Sequence, residues 1–244
     1  EAWTSFYQGN FNRALGKLVT YRSPFLSFIF NPEVDVLNAL TFMELCYWDD
    51  AKKIVDDFYG QYGADAKFLE KFLEKYQNKI SKLGSLALKV TDDNKLKNPL
   101  LYKLFHSLSR DIAFKRYKQN YINLKQELSL VKNYPSEELR PRLANNLKIA
   151  ARSQKAALGQ YVRRILRRQN RILRKSFQGM SYIKLEILSN VKKRFFGVEV
   201  NENGKVGALK NLERTQKQYL WDFVGEFWAD ELGDYVYSLK SACK

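Results

Sequence analysis

An all-α fold is what this sequence predicts: helical hairpins of a repeat, followed by long antiparallel helices forming a coiled-coil-like arm. Three observations carry that reading. Turn-forming residues are scarce, with 12 Gly and 5 Pro in 244 residues, too few to punctuate the many short strands of a sandwich or barrel. Apolar residues recur at helical spacing over most of the chain. A motif also returns with a 37-residue offset near the start, as stacked helical units require.

The repeat comes first in the chain. Ala2, Gly9, Phe11, Ala14 and Leu18 return as Ala39, Cys46, Trp48, Ala51 and Val55, and Tyr21 returns as Phe58. Small residues fall where two short antiparallel helices approach closely, and bulky ones fill the space between them. Trp3, Phe6, Phe42 and Trp48 are expected in that interhelical packing.

At these positions residues 1–62 resemble the tetratricopeptide repeat family, whose unit carries Gly at its turn (Gly9, with Cys46 in its place), an aromatic two residues on (Phe11, Trp48) and a small residue opening the second helix (Ala14, Ala51). Pro24 and Pro32 flank the junction where that family has a closing Pro, and residues 23–31 form an insertion that lengthens the turn between units. The resemblance implies a concave groove for a peptide or helix of a partner protein, and no catalysis. Two units do not bury their own faces, so further repeats before Glu1, and capping by the helices that follow, are expected. The chain opens at Glu1 without Met, within a helical pattern, as a fragment or processed product does.

Residues 63–196 read as a long-helix arm. Phe68, Phe72, Leu73, Tyr76, Ile80 and Leu83 give a helix over 64–90, which Thr91-Asp92-Asp93-Asn94 breaks. Pro99, at a favourable first-turn position, opens a second helix reaching about Lys132. Tyr134-Pro135-Ser136 turns the chain, and Ser136 is positioned to cap a third helix that reaches about residue 196, with a weak point at Gly179. Residues 197–244 form a tail; Asn203-Gly204 between valines makes 198–206 a candidate β-hairpin.

Charge is concentrated in the third helix. Residues 140–194 hold sixteen Lys or Arg against one acid, Glu186, and so carry +15 of the chain's +16. On a helical wheel Leu158, Val162, Ile165, Leu166, Ile172 and Leu173 share one face, while Arg163, Arg164, Arg167, Arg168, Arg171, Arg174 and Lys175 lie opposite. A solvated face, or one that meets acidic segments of the same chain, is the plain reading of such a run. Binding of an anionic surface or polymer (nucleic acid, lipid headgroups, cell-wall polymer) is the functional one.

The tail combines aromatics with acids. Trp221, Phe223, Glu226, Trp228, Asp230, Glu231 and Tyr235 are read as a latch. Asp222, Glu226 and Asp230 would form one acidic stripe on a helix, suited to a divalent cation, to acid–base work or, more simply, to pairing with the Arg-rich helix while the two Trp cover an apolar joint. This segment and the insertion at 23–33 look similar to large periplasmic tetratricopeptide proteins of predatory and gliding bacteria. That likeness implies a periplasmic or outer-membrane-associated location, with a cytoplasmic one as the alternative, and a scaffold role in envelope assembly or motility.

Little suggests an enzyme. His106 is the one imidazole, set beside Phe105 and Leu108 as a structural His would be, and no phosphate loop, dinucleotide fingerprint or nucleophile elbow occurs. No cofactor, metal or small-molecule substrate is expected; the expected partners are proteins. Two Cys and one His exclude a disulfide scaffold and a zinc site, and leave a single Cys46–Cys243 bridge open. No apolar run approaches the roughly 18 residues of a membrane span.

Overall fold

The structure is a computed structural model that describes residues 1–26, 29–93, 96, 98–195, 216, 219 and 225–243, with backbone alone at 90–93 and 192–195. The fold is all-α, and no strand occurs among the described residues. Among the described residues eight α-helices follow one another: α1 (Ala2–Tyr7), α2 (Phe11–Tyr21), α3 (Glu33–Glu44), α4 (Trp48–Lys75), α5 (Ile80–Asp93), α6 (Pro99–Arg110), α7 (Ile112–Leu130) and α8 (Leu139–Phe195). The candidate hairpin at 198–206 lies outside the described residues. No described helix is long and apolar enough to cross a membrane.

The 37-residue repetition recurs in the backbone itself. The Gly9 and Asn10 amides donate to the carbonyls of Phe6 and Ser5, and 37 residues on the Cys46 and Tyr47 amides donate to those of Met43 and Phe42. Both turns therefore close as Schellman caps. Each places its central residue in the left-handed region, Gly9 at φ 73° and Cys46 at φ 62°. Glycine enters that region freely, whereas a Cβ makes it costly. Ala14, Ala39 and Ala51 are fully buried, Ala2, Phe11 and Trp48 are half-buried, and Gly9 is exposed.

The chain divides into two compact units. One contains residues 1–27, 31–63 and 173–244, and the other contains 28–30 and 64–172. The arm expected over 63–196 is thus parted at Leu173.

In the first unit Leu15, Leu18, Leu37 and Leu45 form a buried cluster edged by Trp3, Phe6, Phe11 and Phe42. The end of α8 adds to this unit: Phe177 meets the Phe58 ring edge-on at 4.9 Å, and the Tyr59 and Ser181 hydroxyls lie 2.9 Å apart. Gly179, expected as a weak point, does not interrupt the helix. It lies within α8 where Val36 packs, at a place where an added Cβ would sit 3.0 Å from a Val36 methyl.

In the second unit Leu69, Phe72, Leu83, Leu104, Phe105, Phe114, Leu158, Val162 and Leu166 make one core. Helices α5 and α8 touch through glycine: a Cβ on Gly84 would overlap the Lys155 carbonyl, and one on Gly159 would overlap the Ile80 carbonyl. Two boundaries differ from the sequence reading. The helix read over 64–90 is instead the end of α4 and the whole of α5, parted at residues 76–79, where the Tyr76 carbonyl accepts from Lys79. The helix read from Pro99 to Lys132 is parted at Asp111, which leaves helical geometry (ψ 130°) and caps α7 by accepting from the Phe114 amide at 2.8 Å. At the start of α6, Asn98 caps and Pro99 occupies the first turn. The helix after residue 136 starts at Leu139, with the Ser136 carbonyl, not its hydroxyl, accepting from Arg140.

Candidate functional site

Helix α2 carries Asn12, Gly16 and Thr20 at four-residue spacing, so all three lie on one face. Leu15, Leu18 and Val19 of the same helix are buried, as is Gly16 itself. The stripe is polar at its ends and has no side chain at its centre, which lets another backbone lie directly on the helix.

The chain's own tail occupies it. Residues 235–243 have neither helix nor strand. They run antiparallel to α2: the Gly233 amide donates to Thr20 Oγ1 at 3.0 Å, the Tyr235 carbonyl covers Gly16, and the Tyr237 amide donates to the Asn12 carbonyl at 3.1 Å. Asn12 then holds Leu239 twice, its Nδ2 donating to the Leu239 carbonyl at 2.9 Å and its Oδ1 accepting from the Leu239 amide at 3.0 Å. Beyond α2 the tail reaches the α3–α4 turn. There the Tyr47 hydroxyl donates to the Lys240 carbonyl at 2.8 Å and the Ala242 amide donates to the Leu45 carbonyl at 2.9 Å. Cys243 and Cys46 are joined by a disulfide.

Two tail side chains, Tyr237 and Leu239, pack on the cluster of Leu15, Leu18, Leu37 and Leu45. Burial pushes the Tyr237 hydroxyl above its usual pKa; Asp50 adds to this and the Arg22 guanidinium opposes it. Burial likewise pushes Asp35 up, against Arg22, whose Nη2 lies 3.9 Å away, and against a hydrogen bond from Tyr62.

Of the residues read as the latch, Tyr235 lies on α2 through its backbone carbonyl. Trp221 and Phe223 lie outside the described residues, and Trp228 is 57% exposed, its amide donating to the Tyr235 hydroxyl. Glu226 and Asp230 stand in irregular backbone, so they do not form a helical acidic stripe. Asp230 and Glu231 make no ion pair among the described residues, and no group of three metal-ligating side chains occurs among them. The anchors are Tyr237 and Leu239, a few residues further on. The stripe Asn12, Gly16, Thr20 was the readable signal, since a buried-side Gly amid an amphipathic helix marks close approach of another backbone.

In the second unit the basic face of α8 is exposed at Arg164, Arg167, Arg168 and Arg171. Arg163 is half-buried and donates to the Gln77 carbonyl at 3.0 Å, while Arg164 lies over the Tyr161 ring at 5.2 Å. Arg167, Arg168 and Arg171 have no ion pair among the described residues. Arg174 and Lys175, further along α8 in the first unit, are also exposed. His106 stacks on Tyr102 with ring centroids 5.7 Å apart. An open cleft of about 590 Å³ in the first unit is lined by Val36, Met43, Trp48, Tyr182 and Ile183, with Glu44, Glu186 and the Cys46–Cys243 bridge; its lining is largely apolar.

Comparison with family models, with curated proteins and with solved structures finds no match to this chain.

Proposed function

We propose that this chain is a non-enzymatic helical-repeat scaffold, of the tetratricopeptide kind, that holds partner proteins. The observation that carries the reading is the repeated turn: two helical hairpins 37 residues apart close with the same hydrogen bonds and the same left-handed central residue. Repetition of that kind builds a surface by stacking rather than a reaction centre. A disulfide joining Cys46 and Cys243 suits an oxidising compartment, which supports a cell-envelope location; the role in envelope assembly or motility follows from the resemblance alone.

A second reading has its own observation. Arg167, Arg168 and Arg171 are exposed on one helix face with no acid paired to them among the described residues, as an anion-binding surface requires. One experiment separates the two: affinity capture from source-cell lysate with the full chain, and with a variant in which Arg163, Arg164, Arg167, Arg168, Arg171, Arg174 and Lys175 are all Gln. The scaffold reading expects the same proteins with both. Nucleic acid or lipid that is captured in a salt-sensitive way and disappears with the charges would replace it by the anionic-binder reading.

A further inference from the structure

We propose that the seat on α2 and the α3–α4 turn is a binding site for extended peptide segments of partner proteins, filled here by the chain's own tail and gated by the Cys46–Cys243 bridge. This rests on the scaffold reading and names the site and the kind of partner. The tail is a bound peptide in all but its covalent connection, so its contacts show what the seat recognises. Most are to backbone: Asn12 grips both the amide and the carbonyl of one residue, and Thr20, Tyr47, Leu45 and the Asn12 carbonyl take four more backbone groups. Backbone recognition does not depend on sequence. Selectivity comes from two half-buried side chains two residues apart, those of Tyr237 and Leu239, which pack against the cluster of Leu15, Leu18, Leu37 and Leu45. The partner segment is therefore extended, with an aromatic-x-aliphatic pair.

The gate is the bridge. Cys243 is exposed and Cys46 half-buried, so the thiolate of a small thiol attacks Cys243 Sγ. The Cys46–Cys243 bond breaks, a mixed disulfide forms on Cys243, and Cys46 leaves as a thiolate that takes up a proton; no further oxidant or reductant is needed. Until then the tail cannot leave. Afterwards it competes as a tethered ligand at an effective concentration on the order of millimolar.

The test uses the full chain in a glutathione buffer with a fluorescent synthetic peptide, Gly-Asp-Tyr-Val-Tyr-Ser-Leu-Lys-Ser-Ala-Cys, matching residues 233–243 and supplied as its glutathione mixed disulfide at up to about millimolar concentration. Peptide linked to Cys46 is read by peptide mapping. The proposal expects at least tenfold more linkage than with a control peptide in which Ser replaces the counterparts of Tyr237 and Leu239, a further loss of about tenfold in Asn12→Ala, and no linkage without glutathione. Equal linkage of both peptides, linkage without glutathione, or none at the highest concentration overturns it. Disulfide-linked dimers of the chain formed without any peptide would also overturn it, by making a second copy's tail the occupant. The peptide comparison is made on the unaltered chain, so it stands even where Asn12→Ala misfolds. Failed exchange leaves the lysate-capture result untouched, and failed capture leaves peptide exchange measurable, so the two failures are distinguishable.

Discussion

Asn12 and Leu239, 227 residues apart in sequence, are joined by a pair of hydrogen bonds in which the Asn12 amide both donates (2.9 Å) and accepts (3.0 Å). One short side chain thus satisfies both backbone groups of a tail residue that no helix or strand would otherwise pair.

Asn12→Ala removes both bonds. At about 0.5–1.5 kcal/mol net each, the unfolding free energy should fall by about 1–3 kcal/mol, with a midpoint lower by several degrees. Asn12→Asp keeps the acceptor and loses the donor, so it should fall between the two. Calorimetry of the three proteins checks this, and an unchanged midpoint in Asn12→Ala would show that the tail is not held through Asn12.

Glycines in α4 and at the α5–α8 contact should respond in opposite directions. Gly60→Ala and Gly63→Ala meet nothing within 4 Å and should stabilise the chain by up to about 1 kcal/mol each through helix propensity. Gly84→Ala and Gly159→Ala place a Cβ into a facing backbone carbonyl and should destabilise it by about 1–3 kcal/mol despite the same propensity gain. Denaturant titration of the four variants measures this; a common sign across all four would rule out close backbone contact as the cause.

Removing the bridge should cost more than removing any one hydrogen bond. Cys46 and Cys243 close a loop with a sequence separation of 197, for which chain entropy predicts up to about 5 kcal/mol. Melting with and without reductant, beside the double variant Cys46→Ser, Cys243→Ser, should show reduced chain and variant melting together and below the oxidised chain. Coincident curves for all three would mean the bridge adds nothing.

Asp111 gives a pH signature. Burial acts to raise its pKa, but hydrogen bonds from the Phe114 amide, the Tyr161 hydroxyl and the Ala113 amide outweigh it and hold the carboxyl below its ordinary value. A depressed carboxylate pKa contributes stability that is present above the unfolded value, about 3.9, and is lost as pH falls through the folded value. The stability difference between the native chain and Asp111→Asn should therefore be largest near neutrality and shrink as pH falls below about 4. Urea midpoints between pH 2 and pH 7 read it, and a difference that grows on acidification would reverse the sign claimed for this group. On the other side of the same contact, Tyr161 is pushed up to about 12, by burial first and then by Asp111.

The repeat was legible because it is local. Gly9 with Phe11, and Cys46 with Trp48, lie within one turn of each other, so spacing alone marks both hairpins. The break at Asp111 was written in the chain too, since Asp before Ile-Ala-Phe is an N-cap, yet a continuous apolar period across residues 100–128 concealed it. The tail seat was only half legible. Gly16 between Asn12 and Thr20 marks a place where another backbone comes close, but nothing local to α2 says that the segment lying there is residues 233–243. The acidic and aromatic stretch at 221–235 stands out by composition, whereas the tail side chains that pack against the core cluster are the plainer Tyr237 and Leu239.

Sequence by itself determined the helical class, the two turns and the basic face of α8, because each follows from backbone preference or side-chain periodicity within a few residues. Tertiary structure alone decided that α4 and α8 each contribute to both compact units, that Gly84 meets α8 at Lys155, and that the tail lies along α2. Those depend on which distant surfaces fit closely enough to exclude water, and that is a property of shape assembled from residues far apart, invisible to any local period.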